Sequence, residues 1–183
     1  MDLKHSAAFL AALLALPVAA HAGFLGQTYD ASYRFPDAGT VYGSGTPSPA
    51  SFTVTGGLGT TIDVEGVTDI AFSFTDTVIS IAFSTVLNGP TWNNVSFNGV
   101  RLKATAPHGI TGASVSAGWT GFDNSRVSFT ADEIFFNWSG LSYVDGTAVR
   151  VTFDFAKVPV PEPAGLALLA FAAAAAGLRR RRA

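Results

Sequence analysis

The chain has no cysteine, which excludes a disulfide framework, a thiol nucleophile and any thiolate metal site. Charge is also scarce: 13% of the 183 residues are Asp, Glu, Lys or Arg, against roughly 25% in an average globular protein. The formal net charge is −2 and no basic stripe crosses the centre, so nucleic acid is excluded as a partner. Histidine is nearly missing too. Beyond residue 22 only His108 remains, and one imidazole without a thiolate does not make a transition-metal site. The length suits one domain.

What is present begins with two ends unlike the middle. Residues 1–22 place Lys4 and His5 before the apolar run 7–16, then Pro17, and close on Ala20-His21-Ala22. A basic start, a short apolar stretch and small residues before the cut are what signal peptidase reads. Cleavage is expected after Ala22, with Ala20 and Ala22 as the recognition residues and the export machinery as a partner. The run is too short to span a bilayer, which takes about 20 apolar residues. An uncleaved N-terminal membrane helix is the alternative.

The other end reads Val158-Pro159-Val160-Pro161-Glu162-Pro163, then an uncharged stretch over 164–178, then Arg179, Arg180, Arg181 and Arg182. As a helix the stretch would measure about 22 Å at about 1.5 Å per residue. The hydrocarbon layer is about 30 Å, and snorkelling arginine stems with local thinning close that gap. The four arginines form a stop-transfer block that the positive-inside rule keeps cytoplasmic, which puts the body on the periplasmic side. Each proline fixes φ and keeps its predecessor out of the helical region. Residues 158–163 should therefore run extended and accessible at the outer membrane face.

This tail of residues 158–183 resembles the PEP-CTERM sorting signal of Gram-negative bacteria. All three parts are there: Pro161-Glu162-Pro163, the apolar transmembrane helix 164–178 and the arginine cluster 179–182. The resemblance implies recognition by an exosortase, a membrane cysteine protease-transpeptidase, with cleavage at or near the motif. It further implies a host that makes extracellular polysaccharide. The protein would rest transiently at the inner membrane and then reach the cell surface or matrix. A permanent tail anchor is the rival reading.

Residues 23–157 make up the domain between these signals. Ile70, Phe72 and Phe74 alternate with Ala71, Ser73 and Thr75; Ile79, Ile81 and Phe83 repeat the pattern, as do Val149, Val151, Phe153 and Phe155. That period of two predicts strands. Further strands are expected near 29–35, 51–55, 60–65, 126–130 and 133–138. Asn98-Gly99, between Val95-Ser96-Phe97 and Val100-Arg101-Leu102, predicts a tight hairpin because both residues tolerate positive φ. Residues 43–49 predict an exposed loop. Roughly nine short strands at intervals of about 8–12 residues predict an all-β, two-sheet sandwich, jelly-roll-like, with a closed barrel as the alternative.

Chemistry-bearing residues are few. His108 lies in Ala106-Pro107-His108-Gly109, which reads as a solvated turn, and no Gly-x-Ser-x-Gly elbow accompanies it. Asp63 with Glu65, on one strand face, and Asp132-Glu133, at a strand start, are the carboxylates a glycosidase would need. Asp123-Asn124 or Asp132-Glu133 could lend oxygens to calcium, but no EF-hand spacing is present. No catalytic residue, metal site or cofactor is assigned. Sugar-binding sandwiches use aromatic faces beside Asn, Asp and Arg, which points to Trp92 with Asn93 and Asn94 as a ligand platform. Trp119 near Phe122-Asp123-Asn124, and Trp138 with Tyr143, are further candidates.

The sequence thus leads to an exported, non-enzymatic surface or matrix protein, sorted by an exosortase and associated with exopolysaccharide or biofilm. A lectin-like carbohydrate-binding module is the alternative, and a surface glycosidase the third reading.

Overall fold

The computed structural model describes residues 23–116 and 118–156. The expected signal peptide (1–22), residue 157 and the sorting tail (158–183), with its helix and arginine cluster, lie outside the described residues. Among the described residues no helix is long and apolar enough to cross a membrane.

Eleven strands are described: β1 (Thr28–Arg34), β2 (Gly45–Ser48), β3 (Ser51–Thr53), β4 (Gly57–Val64), β5 (Thr68–Phe74), β6 (Val78–Thr85), β7 (Gly99–Ala104), β8 (Ile110–Ser116), β9 (Val127–Phe129), β10 (Glu133–Asn137) and β11 (Ala148–Phe155). They form two sheets, ordered β3-β1-β7-β10-β9 and β2-β4-β5-β6-β11-β8. Every pairing is antiparallel.

Alternation decides which faces meet. β5 buries Ile70, Phe72 and Phe74, β6 buries Ile79, Ile81 and Phe83, and β11 buries Val149, Val151 and Phe153. From the other sheet come Tyr29 and Tyr33 of β1, Val100 and Leu102 of β7, and Ile134 and Phe136 of β10. The two faces touch across the middle, with Phe72 and Phe136 at 5.6 Å between ring centroids and Phe83 and Trp138 at 5.3 Å. Each such buried side chain stabilises the fold by about 1.5–3 kcal/mol relative to exposure. The architecture is a two-sheet β-sandwich.

One end of the sandwich is closed by the start of the described chain. Phe24 is fully buried and packs edge-on against Phe74, Phe153 and Phe155, at 5.8, 5.2 and 5.1 Å. Its amide donates to the Asp76 carbonyl at 2.7 Å. A β-carbon on Gly23 would collide with Asp76, so the chain enters this corner only as glycine.

Three expectations need correcting, and one strand was not expected. Asn98-Gly99 is not a hairpin turn: residues 92–98 carry no strand and Gly99 does not adopt a positive φ. Gly99 is there because β7 passes so close to β10 that a β-carbon would strike the Phe136 carbonyl oxygen. Residues 43–49 are not wholly a loop, since β2 pairs with β4 at the sheet edge, where a proline is tolerated. β8 carried no expectation, because its Gly, Ala, Ser and Thr lack a strong apolar alternation. Glu65 lies beyond β4 in a turn, so it shares no strand face with Asp63.

Candidate functional site

The end opposite Phe24 holds an aromatic cleft. It is assembled from the end of β1, the return segment 36–44, the β4–β5 turn and the irregular segment 86–98. The turn is Val64-Glu65-Gly66-Val67, closed by the Val67 amide donating to the Val64 carbonyl at 3.1 Å. Glu65 and Gly66 have φ of 59° and 69°, the two left-handed residues that a type I′ hairpin turn requires. Glycine adopts this freely, whereas Glu65 does so at a cost of about 1–2 kcal/mol. Its carboxylate accepts a hydrogen bond from the Tyr42 hydroxyl, and its amide donates to the Ser44 carbonyl at 2.8 Å.

The opposite wall is Pro90 to Asn93, tied to residues 140–143. The Trp92 amide donates to the Leu141 carbonyl at 3.0 Å, and the Tyr143 amide to the Pro90 carbonyl at 3.0 Å. The Trp92 ring lies flat on Tyr143, with centroids 4.7 Å apart and planes within 8°. Together these elements enclose about 150 Å³, walled by Tyr33, Phe35, Tyr42, Trp92 and Tyr143 with Glu65, Thr91 and Asn93 among the polar neighbours. Drug-sized pockets run about 300–1,000 Å³, so this cleft takes one ring or one substituent.

Hydrogen bonds fix the floor. The Tyr33 hydroxyl donates to Asn98 Oδ1 at 2.6 Å and accepts from Trp138 Nε1 at 2.9 Å. The Thr85 hydroxyl donates to the Val67 carbonyl at 2.9 Å. Thr68 must therefore donate to Thr85, at 2.9 Å, and Tyr143 to Thr68, at 2.7 Å. Burial pushes the Tyr33 and Tyr143 hydroxyls above the usual phenol range, and the bond to Glu65 does the same for Tyr42. Three neutral phenols thus surround one carboxylate, and among the described residues the cleft lining includes no Lys, Arg or His.

The candidates read from sequence fall in different places. Trp92 sits on an irregular segment but is only 9% exposed, so it is a wall of the cleft rather than a free platform; its Nε1 is buried without a partner. Asn93 lines the cleft, whereas Asn94 lies beside Gly140. Trp119 is buried, stacked on Phe122 and bonded to the Ser142 carbonyl at 2.7 Å, and Trp138 is wholly in the core. Aromatic rings hide 150–250 Å² or so each, which is why the core claims them.

Of the four candidate acids, Glu65 alone lines the cleft. Asp63 borders a separate shallow depression with Asp69 and Asp145. Glu133 is on the other sheet, in an ion pair with Arg101, and the Asp132 carboxylate accepts from the Thr130 hydroxyl at 3.2 Å. Asp123 caps a 3₁₀ turn through the Ser125 amide at 2.8 Å, and bonds from Ser125 hold its carboxyl below the usual range. Asn124 accepts from the Val115 amide at 2.7 Å. Among the described residues no cluster of His, Asp and Glu is built to hold a metal.

His108 overturns its expectation. It is 1% exposed, not solvated. Its amide donates to the Ala131 carbonyl at 3.0 Å, and Nδ1 accepts from the Ile110 amide at 3.2 Å. Gly109, at φ 71°, turns the chain so that the ring faces inward. Nε2 is left without a partner, and burial lowers the ring's pKa.

Sequence reasoning did not find Tyr33 and Tyr42 as cleft residues. The available signal was Glu65-Gly66 between two alternating runs, a hairpin turn whose first residue was read as strand. No protein-family model matches this chain, and no curated protein or solved structure matches it.

Proposed function

We propose that this is an exported, non-enzymatic protein of the cell surface or extracellular matrix, sorted by an exosortase through Pro161-Glu162-Pro163. Its sandwich, on this reading, serves as a lectin-like module for exopolysaccharide. The sorting half is supported by the tail's resemblance to PEP-CTERM signals. The binding half is supported by one observation: five aromatic rings and a carboxylate converge on a single small cleft. Such a combination suits a sugar, whose C–H face packs on rings while its hydroxyls bond to polar groups. A jelly-roll-like course of the strands belongs to the same proposal, supported by a chain that passes repeatedly between the two antiparallel sheets.

Mass spectrometry of the native protein tests the sorting half. A C-terminus near Pro163, lost in the Glu162→Ala variant, is the expected result; normal processing of that variant would refute the role given to Glu162. A glycan array tests the binding half. Retention of host polysaccharide is expected, and its absence in wild-type protein would remove the lectin reading.

A further inference from the structure

We infer that the cleft selects an amine-bearing sugar over neutral or acidic ones, with Glu65 as the residue that reads the ammonium group. The inference rests on the lectin-like reading and adds to it the charge of the ligand.

The argument begins with what faces the cleft. Among the described residues Glu65 is the only charged side chain lining it, and the five basic ones lie elsewhere. Arg34 is engaged with Ser32 and the Gly39 carbonyl, and Arg101 with Glu133. No cation among the described residues therefore neutralises this carboxylate from within the site. An acidic sugar would bring a second negative charge beside it, and like charges at close range repel.

The position of Glu65 is held by the fold. The turn places it at a left-handed φ, and the Tyr42 hydroxyl occupies Oε1. Oε2 is left to meet a ligand. Around it stand aromatic rings, of which Phe35 and Tyr42 are only half buried and so present surface. They are mutually edge-on, with centroids 5.4 Å apart. Aromatic faces attract cations through the ring quadrupole, and an ammonium bound to a carboxylate forms a charge-assisted hydrogen bond. The buried tyrosine hydroxyls cannot compete for that charge. Those of Tyr33 and Tyr143 are already committed as donors to Asn98 and Thr68, and all three phenols stay neutral.

The hairpin gives the site a further property. Glu65 belongs to neither sheet interior and its side chain is exposed, so the charge can be removed without touching the core. Glu65→Gln keeps the shape and leaves an amide oxygen for Tyr42.

The test is a calorimetric titration of the full chain in mild detergent with four probes. These are a glucosamine tetramer, its N-acetylated counterpart, a uronic acid tetramer and tetramethylammonium chloride. The expected result is that the glucosamine tetramer binds about tenfold tighter than the acetylated one. Glu65→Gln should abolish that preference while its melting temperature stays close to wild type. Equal binding of the amine and acetylated sugars would overturn the charge inference and leave the lectin reading standing. The uronic acid tetramer binding best would overturn it as well. Tetramethylammonium binding without any sugar would make the cleft a cation cage and sink the sugar assignment. No binding of any probe would overturn both the inference and the reading beneath it.

Discussion

The indole of Trp138 donates to the hydroxyl of Tyr33 at 2.9 Å, joining β1 to the end of β10 across 105 residues of sequence. That hydroxyl then donates to Asn98 at 2.6 Å, so a single oxygen serves two buried partners. Tyr33→Phe would strand both. An unsatisfied buried donor or acceptor costs about 1–3 kcal/mol, and a loss near the top of that range is expected in urea unfolding. Tyr42→Phe, which removes only a half-exposed hydroxyl, should cost far less.

Gly99→Ala tests the close approach of β7 to β10. The new methyl would strike the Phe136 carbonyl oxygen, and backbone cannot rotate aside as a side chain does. Overpacking typically costs about 1–3 kcal/mol, and the upper end is expected here, read as a fall in melting temperature. Gly43→Ala, at a position where a β-carbon meets nothing within 4 Å, is the matched control.

His108 gives the domain an acid sensitivity. Burial lowers its pKa below the ordinary 6.5, although the Glu133 backbone and the Asp132 charge pull the other way. The unfolded chain then binds a proton more readily than the folded one. Stability is complete above about pH 6.5 and falls as the pH drops from there toward the folded pKa. Urea midpoints on either side of that value should differ, and His108→Asn should flatten part of the slope. An unchanged slope in that variant would assign the loss to carboxylates instead.

Asp63 and Asp69 are direct partners on β4 and β5. Asp63 has a use, accepting from the Gly66 amide at 3.0 Å, whereas among the described residues no side-chain hydrogen bond occupies Asp69. Like charges facing each other across a sheet destabilise it. Asp69→Asn should therefore raise stability by about 0.2–1 kcal/mol, and the gain should shrink in high salt.

The sequence made the core strands legible wherever a large apolar residue recurred every second position. β5, β6 and β11 each contain all of the alternating apolar residues that predicted them. β2 and β8 escaped because these two edge strands carry no alternation of large apolar residues. At an edge one face suffices for pairing, and Pro47 or small residues do not break it. Asn98-Gly99 misled for a different reason. The dipeptide signals a turn only when both residues go left-handed, and here the asparagine is a buried acceptor for Tyr33. The cleft was half legible. Trp92 and Asn93 were readable as an aromatic–amide pair, but Tyr33, Tyr42 and Glu65 meet only through pairing of distant segments, and no local pattern records that.

The position of Phe24 settles the way this domain can be held. Phe24 and Phe155 touch at one pole, while β5 runs from Phe74 beside them to Thr68 in the cleft wall. That span of six residue steps is about 20 Å. The start and end of the described chain thus share a foot, and the cleft lies at the far end. Whatever grips the domain by residue 23 or residue 156, whether a surface, a fused partner or a sensor tip, turns the cleft away from itself.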